Sequence, residues 1–368
     1  MFFVKTEDLK VGMRLARPIF SHNGVLLFEQ GSKITAASLT SISNFGLIGI
    51  YILDPAEPAP PMGKEDLEFE RFQAAYVYQI QKELQTIVST KKPSHLIGII
   101  GAISKAYGHL DKKINFIQTP RTKEDYLYKH ILNVTILCAM MAHQMNLRID
   151  EVEDLLTAAL LHDIGQLMMP KNRSKEMQEM DQNEDDEHLL QMASESRGFE
   201  LIDDIYGGRP NVKRICSQAA RLREDLRNGN PPSVGKAVDG SLILFMANYY
   251  DKVTAVDVQA DEAPSEVATV MEMTKKPEFF VPGTLRCLTD SIKIVSPGVS
   301  VELNSGEKAM VISENDRNIL RPRLLMYRDN SIIDLEDAEN LDLEIADIMK
   351  SLDNRYVMDV KTLEQVKE

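Results

Sequence analysis

The strongest constraint on this chain is a set of apolar segments with helical spacing in its middle. Tyr126–Met145 carries Ile131, Val134, Leu137, Cys138 and Met141 at intervals that fall on one helix face. Glu151–Leu167 and Gly240–Val256 have near-continuous apolar centres, as the buried helices of a bundle do. Leu67–Thr90 and Leu96–Leu110 read as further amphipathic helices. There is no Trp and aromatic residues make up only 6% of the chain, so the core must be built from Leu, Ile, Val, Met and Ala. The eighteen Met residues, Met140-Met141 and Met168-Met169 among them, are expected to fill gaps in it.

The two ends have a different texture. Before residue 56, Gly12, Asn23-Gly24 and Gly31 punctuate strand-like pieces such as Val25–Phe28, and a helix is expected at Ala36–Asn44 with a strand at Leu47–Leu53. After about 290, the apolar runs Ile292–Val295, Val299–Leu303, Ala309–Ile312 and Leu324–Tyr327 alternate with turn clusters. The expected fold is mostly α. It comprises a small N-terminal α+β module (1–56), a Pro-rich linker (57–66), a helical domain (67–290) and a small β-rich C-terminal module (291–368). The C-terminal module is expected to close on a helix at Leu341–Leu352, and the acidic stretch 171–187 is expected to be an exposed loop.

Charge narrows the partners. A net charge of −14 opposes binding to DNA or to an anionic membrane surface, although a local basic pocket remains compatible with it. Cys138, Cys216 and Cys287 lack any zinc-finger or CxxC spacing and read as free thiols of a reducing compartment. No secretory signal and no apolar run of spanning length occur, so the expected location is cytoplasmic.

One short motif carries chemistry: Leu161-His162-Asp163-Ile164-Gly165, at the end of an apolar helix. Neighbouring His and Asp side chains on a helix diverge by about 100° yet can still reach one ion. Imidazole plus carboxylate suits Zn, Mn, Fe or Ni. His130 lies beside the apolar stripe of another helix and is either a third ligand or a core histidine bonded to backbone or to Asp163.

His130 followed by ALLHDIGQ (159–166) resembles the HD superfamily of metal-dependent phosphohydrolases. The flanks, DLKVGMRLARPIFSHNGVLLFEQGSKIT (8–35) and SPGVSVELNSGEKAMVISENDRNILRPRLL (296–325), are similar to modules that accompany its bacterial HD-GYP branch. That resemblance implies an HD-type helical bundle, a centre of two or three metal ions and cyclic-di-GMP phosphodiesterase activity. It also implies a metal set of His130, His162, Asp163 and, on the last helix, the position held by Asn248.

The departures from the pattern weigh against that activity. Gln166 stands where the family has Lys, and Ser194 in SESRG (194–198) stands where it has a ligand His. His188 is nearby but out of register with Gly198. LREDLRNGNPP (222–232) is the best match to the family signature, with Leu222 and Arg223 in place of two His ligands. In ANYYDK (247–252), Asn248 replaces the ligand Asp while Asp251 is retained. His162 and Asp163 are then vestiges of a catalytic pair, holding one divalent ion at most. Arg221, Arg223 and Arg227 either form a phosphate-binding group or line a solvated basic helix face.

Three functions follow as expectations: a pseudoenzyme that signals by binding a protein partner or cyclic-di-GMP, a metal-dependent phosphodiesterase with a reduced site, or a structural adaptor. Dimerisation through Leu67–Thr90 is compatible with each.

Overall fold

The computed structural model describes residues 2–45, 49–53, 62–116, 118, 121, 125–169, 184–232, 237–255, 264–295, 297–315 and 318–348. Residues 57–61 of the expected linker and 171–183 of the acidic stretch fall outside them, and 64–66 of the linker open a helix.

The N-terminal part places β1 (Phe2–Lys5), β2 (Arg14–Leu15), β3 (Ile19–Phe20), β4 (Leu26–Phe28), α1 (Ala36–Asn44) and β5 (Gly49–Leu53). β5 pairs antiparallel with β1 on one side and β2 on the other, while β3 and β4 form a separate hairpin. Gly24 takes a φ of +71° in the hairpin turn, a region a side chain disfavours. Thr35 and Ser38 cap each other's backbone N–H groups at the start of α1, a reciprocal cap that fixes where the helix begins. Leu15, Ile34, Ile42 and Ile52 centre a small core of their own.

The helical part runs through α2 (Lys64–Thr90), α3 (Leu96–Tyr107), α4 (Tyr126–Gln144), α5 (Ile149–Leu161), a 3-10 turn (Ile164–Met168), α6 (Glu184–Tyr206), α7 (Pro210–Arg227), α8 (Asp239–Val253), α9 (Glu266–Thr274) and α10 (Pro282–Ser291). α4 is the hub. It is buried on nearly every side from Tyr128 to Ala142 and packs against α2, α3, α5, α8 and α10. That surrounding explains why its sequence shows so little polar face. Met140, Met141, Met246 and Met273 are buried in this core, whereas Met168 and Met169 are half-buried.

The C-terminal strands β6 (Ser300–Leu303), β7 (Lys308–Ser313), β8 (Arg323–Met326), β9 (Ile332–Asp334) and β10 (Ile345–Ile348) form one antiparallel sheet in the order β10-β6-β7-β8-β9. Its buried residues, Val301, Val311, Leu324 and Ile345 among them, join the same apolar core as the bundle, and α9 packs on β10.

Several sequence expectations change. Of the helix expected at Leu341–Leu352, residues 341–344 are turn and irregular chain and Ile345–Ile348 is strand β10. Ile345 is buried, and the strand pairs antiparallel with β6 across a bulge between Ile345 and Asp347. Ile292–Val295 is no strand; it makes one bridge to Ile114 and buries Ile292, Ile294 and Val295 between bundle and sheet. Residues 184–187 of the expected acidic loop open α6. The helix expected over Glu151–Leu167 stops at Leu161, because Asp163 leaves helical geometry (φ −111°, ψ 12°).

That stop is held by contact between two glycines. A Cβ on Gly165 would meet the Ser194 carbonyl oxygen at 1.7 Å, and one on Gly198 would meet the Gly165 nitrogen at 3.2 Å. The 3-10 turn therefore lies directly on the backbone of α6. Gly101, in the middle of α3, faces open space. Gly165→Ala should accordingly cost about 3 kcal/mol or more in urea unfolding, whereas Gly101→Ala should stabilise by about 0.5–1 kcal/mol; equal effects would contradict the packing described.

Candidate functional site

The turn after α5 presents His162 and Asp163 toward His130 of α4. His162 Nδ1 donates to the Ala159 carbonyl at 2.8 Å, and a carbonyl can only accept. His130 Nδ1 donates to Asp251 Oδ2 of α8 at 2.6 Å. Asp251 is ionised, since Arg121 and His130 hold its carboxyl well below the usual carboxylate range against the opposing effect of burial. Both ring protons are therefore on Nδ1, and the two Nε2 lone pairs face each other across 3.2 Å. Asp163 Oδ2 stands 3.7 Å from one Nε2 and 3.8 Å from the other.

Lone pairs that converge in this way call for an electrophile. A metal ion about 2.0–2.1 Å from two imidazole nitrogens separates them by about 2.9–3.4 Å for bond angles between octahedral and tetrahedral, a range that includes the observed spacing. Asp163 would have to close by a few tenths of an ångström. The N, N, O donor set suits Zn, Mn, Fe or Ni, so the residues fit one divalent ion. Among the described residues the ligand group stops at these three, all buried.

Behind His130 lies a buried polar network. Asp251 Oδ1 accepts from Arg121 Nη2 at 2.5 Å, from Gln118 Nε2 at 3.0 Å and from Asn133 Nδ2 at 3.0 Å. Asn133 in turn accepts from Gln73 Nε2 of α2 at 2.8 Å. The Arg121 guanidinium is fully buried and lies over the Tyr126 ring. Asp251 is thus the orienting carboxylate of His130, the role that fixes a ligand's tautomer in metal sites, and it has no group left to offer an ion. Asn248 is buried three residues earlier on α8 and takes part in none of these hydrogen bonds.

The positions that depart from the family pattern have other engagements. Leu222 belongs to the apolar core. Ser194 donates to the Gln191 carbonyl at 2.8 Å. His188 sits 3.1 Å from Glu224, pairing α6 with α7 instead of joining the ligands. Arg223 Nη1 approaches Glu195 Oε1 to 2.6 Å, a charge contact without hydrogen-bond alignment, since that oxygen accepts no hydrogen bond. Arg221 and Arg227 are exposed and engaged in contacts of their own. Of the three arginines only Arg223 is turned inward, where its charge helps depress Asp163. Lys252 Nζ lies 3.7 Å from Asp163 Oδ2, and Gln166 Nε2 donates to the same oxygen at 2.8 Å. Beside this group is a cavity of about 400 Å³ lined by Tyr126, His130, Asp163, Gln166, Ser194 and Lys252 among others.

Sequence reasoning missed Lys252, Glu195, Arg121 and Gln118. Asn133 was within reach of it, one turn after His130 on the same helix face. Arg121 lies in a stretch with no periodicity, and nothing local marks it.

Comparison with known proteins agrees with this geometry at a coarse level. Residues 112–204 match the model of the HDOD domain, a span that includes His130, His162, Asp163 and Ser194–Gly198. The chain is similar to the cyclic di-GMP phosphodiesterase PA4108 of Pseudomonas aeruginosa, with 23% identity over 211 residues, 56% of this chain and 49% of the relative. It therefore spans about half the length of that relative. No solved structure matches. These findings support an HD-superfamily domain at the centre of the chain; the family model that matches is HDOD, not HD-GYP. No helix among the described residues is long and apolar enough to cross a membrane.

Two predictions follow from the buried charges. Asp251→Asn removes the only ion-pair partner, among the described residues, of a fully buried guanidinium and should cost about 3–5 kcal/mol, read from urea midpoints. The second concerns acid. Burial lowers His130 from its usual 6.5 to about 4, so between those values the unfolded chain takes up a proton that the folded chain does not. Stability should fall as pH drops through that window and be fully present above it. Asp163 and Asp251, both depressed, add losses at lower pH still. In chelator, His130→Asn should reduce the dependence between pH 6.5 and 4 and leave the share of His162, which burial also lowers; an unchanged slope would mean His130 does not contribute.

Proposed function

We propose that this chain is a non-catalytic signalling module, a degenerate relative of the HD-GYP branch that acts by binding and does not hydrolyse. The observation that carries the reading is the charge balance of the site. Each of its three carboxylates already has an organic cation: Asp251 has Arg121 at 2.5 Å, Glu195 has Arg223 at 2.6 Å and Asp163 has Lys252 at 3.7 Å. A two-metal hydrolase needs surplus carboxylate charge to hold both ions and to acidify the water between them. Two divalent ions added here would leave a large uncompensated positive charge in a buried site. Protein partners are the ligands this reading favours, with cyclic di-GMP suggested by the name of the relative.

A second reading has one observation in its favour. The two facing Nε2 atoms and Asp163 fit a single ion, which supports a metal-dependent phosphodiesterase with a reduced site. When bound, such an ion would supply Lewis-acid polarisation of a phosphoryl oxygen and a water of lowered pKa. His130 and His162 would hold it, and Asp251 would keep His130 in the required tautomer.

Elemental analysis of the purified, dialysed protein separates the two, together with a cyclic di-GMP hydrolysis assay. The expected outcome is at most one equivalent of metal, lost in His162→Ala, with no hydrolysis. Turnover that vanishes in His162→Ala, with one retained equivalent or with two, would overturn the proposal.

A further inference from the structure

Asp163 Oδ2 faces both the nitrogens that would hold an ion and the Lys252 ammonium. It lies 3.7 Å from His130 Nε2 and 3.8 Å from His162 Nε2, the two nitrogens that would hold an ion. It also lies 3.7 Å from Lys252 Nζ and accepts from Gln166 Nε2 at 2.8 Å. Of the three carboxylate–cation pairs at the site, Asp163–Lys252 is the loosest, and its lysine is the one that borders the cavity. The Lys252 side chain is 28% exposed, against 0% for Arg121 and 24% for Arg223.

We propose that Lys252 is the resident cation of the ligand group: its ammonium occupies the electrostatic place of a divalent ion at Asp163, so metal enters only when the side chain swings out into the cavity. This rests on the charge balance argued above and adds the residue that regulates it.

Three physical points carry the inference. An ion bound to both imidazoles and to Oδ2 would sit about 2.0–2.2 Å from that oxygen, leaving the ammonium a few ångströms from a dication in a poorly screened site. A cation tethered to the next residue after Asp251 acts at a fixed, high effective concentration, which a free ion must overcome. Lysine is also suited to yielding, because a compact ammonium on a flexible stem gives up one geometry more easily than the planar guanidinium. Arg121, locked between Asp251, Gln118 and the Tyr126 ring, has no such freedom.

The test is calorimetric titration of the full chain, stripped with chelator and exchanged into buffer, with manganese chloride. Lys252→Met removes the charge and keeps the apolar stem, Lys252→Ala removes both, and Lys252→Arg keeps the charge. Thermal melting establishes that each variant is folded. Lys252→Met and Lys252→Ala should bind one equivalent on the order of ten- to a hundredfold more tightly than the parent. Lys252→Arg should bind no more tightly than the parent, and His162→Ala added to Lys252→Met should abolish binding. A folded Lys252→Met with parental affinity overturns the role of Lys252 while leaving the non-catalytic reading intact. Metal-dependent cyclic di-GMP hydrolysis in the parent, with one equivalent or two, would instead overturn that reading.

Discussion

The buried carboxylate of Asp251 is the interaction on which the rest of the centre depends. One oxygen collects Arg121, Gln118 and Asn133, and the other takes the His130 proton. A fully buried carboxylate without partners would be strongly unfavourable; here the same donors that compensate it also join four parts of the chain. α4 contributes Asn133 and His130, α8 contributes Asp251 itself, the stretch before α4 contributes Gln118 and Arg121, and α2 is tied in through Gln73. Among the described residues the compensation is incomplete, since Arg121 Nε and Nη1 and Gln73 Oε1 have no hydrogen-bond partner. A network with orphaned members is a costly way to stabilise a core, which marks it as a device for fixing the geometry of His130.

α2 also carries the contact with the N-terminal part. Glu70, one turn before Gln73, is almost wholly buried and pairs with Arg17 at 3.1 Å. Burial raises the Glu70 pKa, and the Arg17 charge opposes that rise. Arg17 lies in turn over the Tyr51 ring of β5. The small sheet, with its own apolar core, thus meets the bundle through a desolvated ion pair on the same helix that braces Asn133. The C-terminal sheet is joined differently, by apolar contact continuous with the bundle core.

How much of this was legible in the sequence follows from which signals are local. The helices around 126–144 and 239–253 announce themselves by apolar spacing, and the convergence of His130, His162 and Asp163 follows from the HD pattern. The β10 strand was missed because the edge that recruits it, β6, lies some forty residues earlier and no short window contains both. The break after Leu161 depends on the Ser194 carbonyl resting on Gly165, again a distant contact. Lys252 and Glu195 were overlooked for a related reason: a charged residue beside a motif reads as solvated until the fold shows what it faces. Arg223 carried two readings, a phosphate ligand or part of a solvated basic face, and what neither included is Glu195, adjacent to the expected ligand position Ser194 and 2.6 Å from its guanidinium.

The site is under two opposing demands. Two imidazole lone pairs, fixed in place by Ala159 and Asp251, ask for a positive charge between them. Three carboxylates already matched by three organic cations leave no room for much of it. A histidine-rich centre with surplus acid would resolve this by gathering two divalent ions, as two-metal hydrolases do. Here a modest positive charge beside Asp163, from the lysine or from a single ion that displaces it, satisfies both demands, and a second metal ion satisfies neither. With Leu222 in the apolar core, Arg223 against Glu195 and Lys252 against Asp163, the residues around the two imidazoles balance their charge within the chain itself.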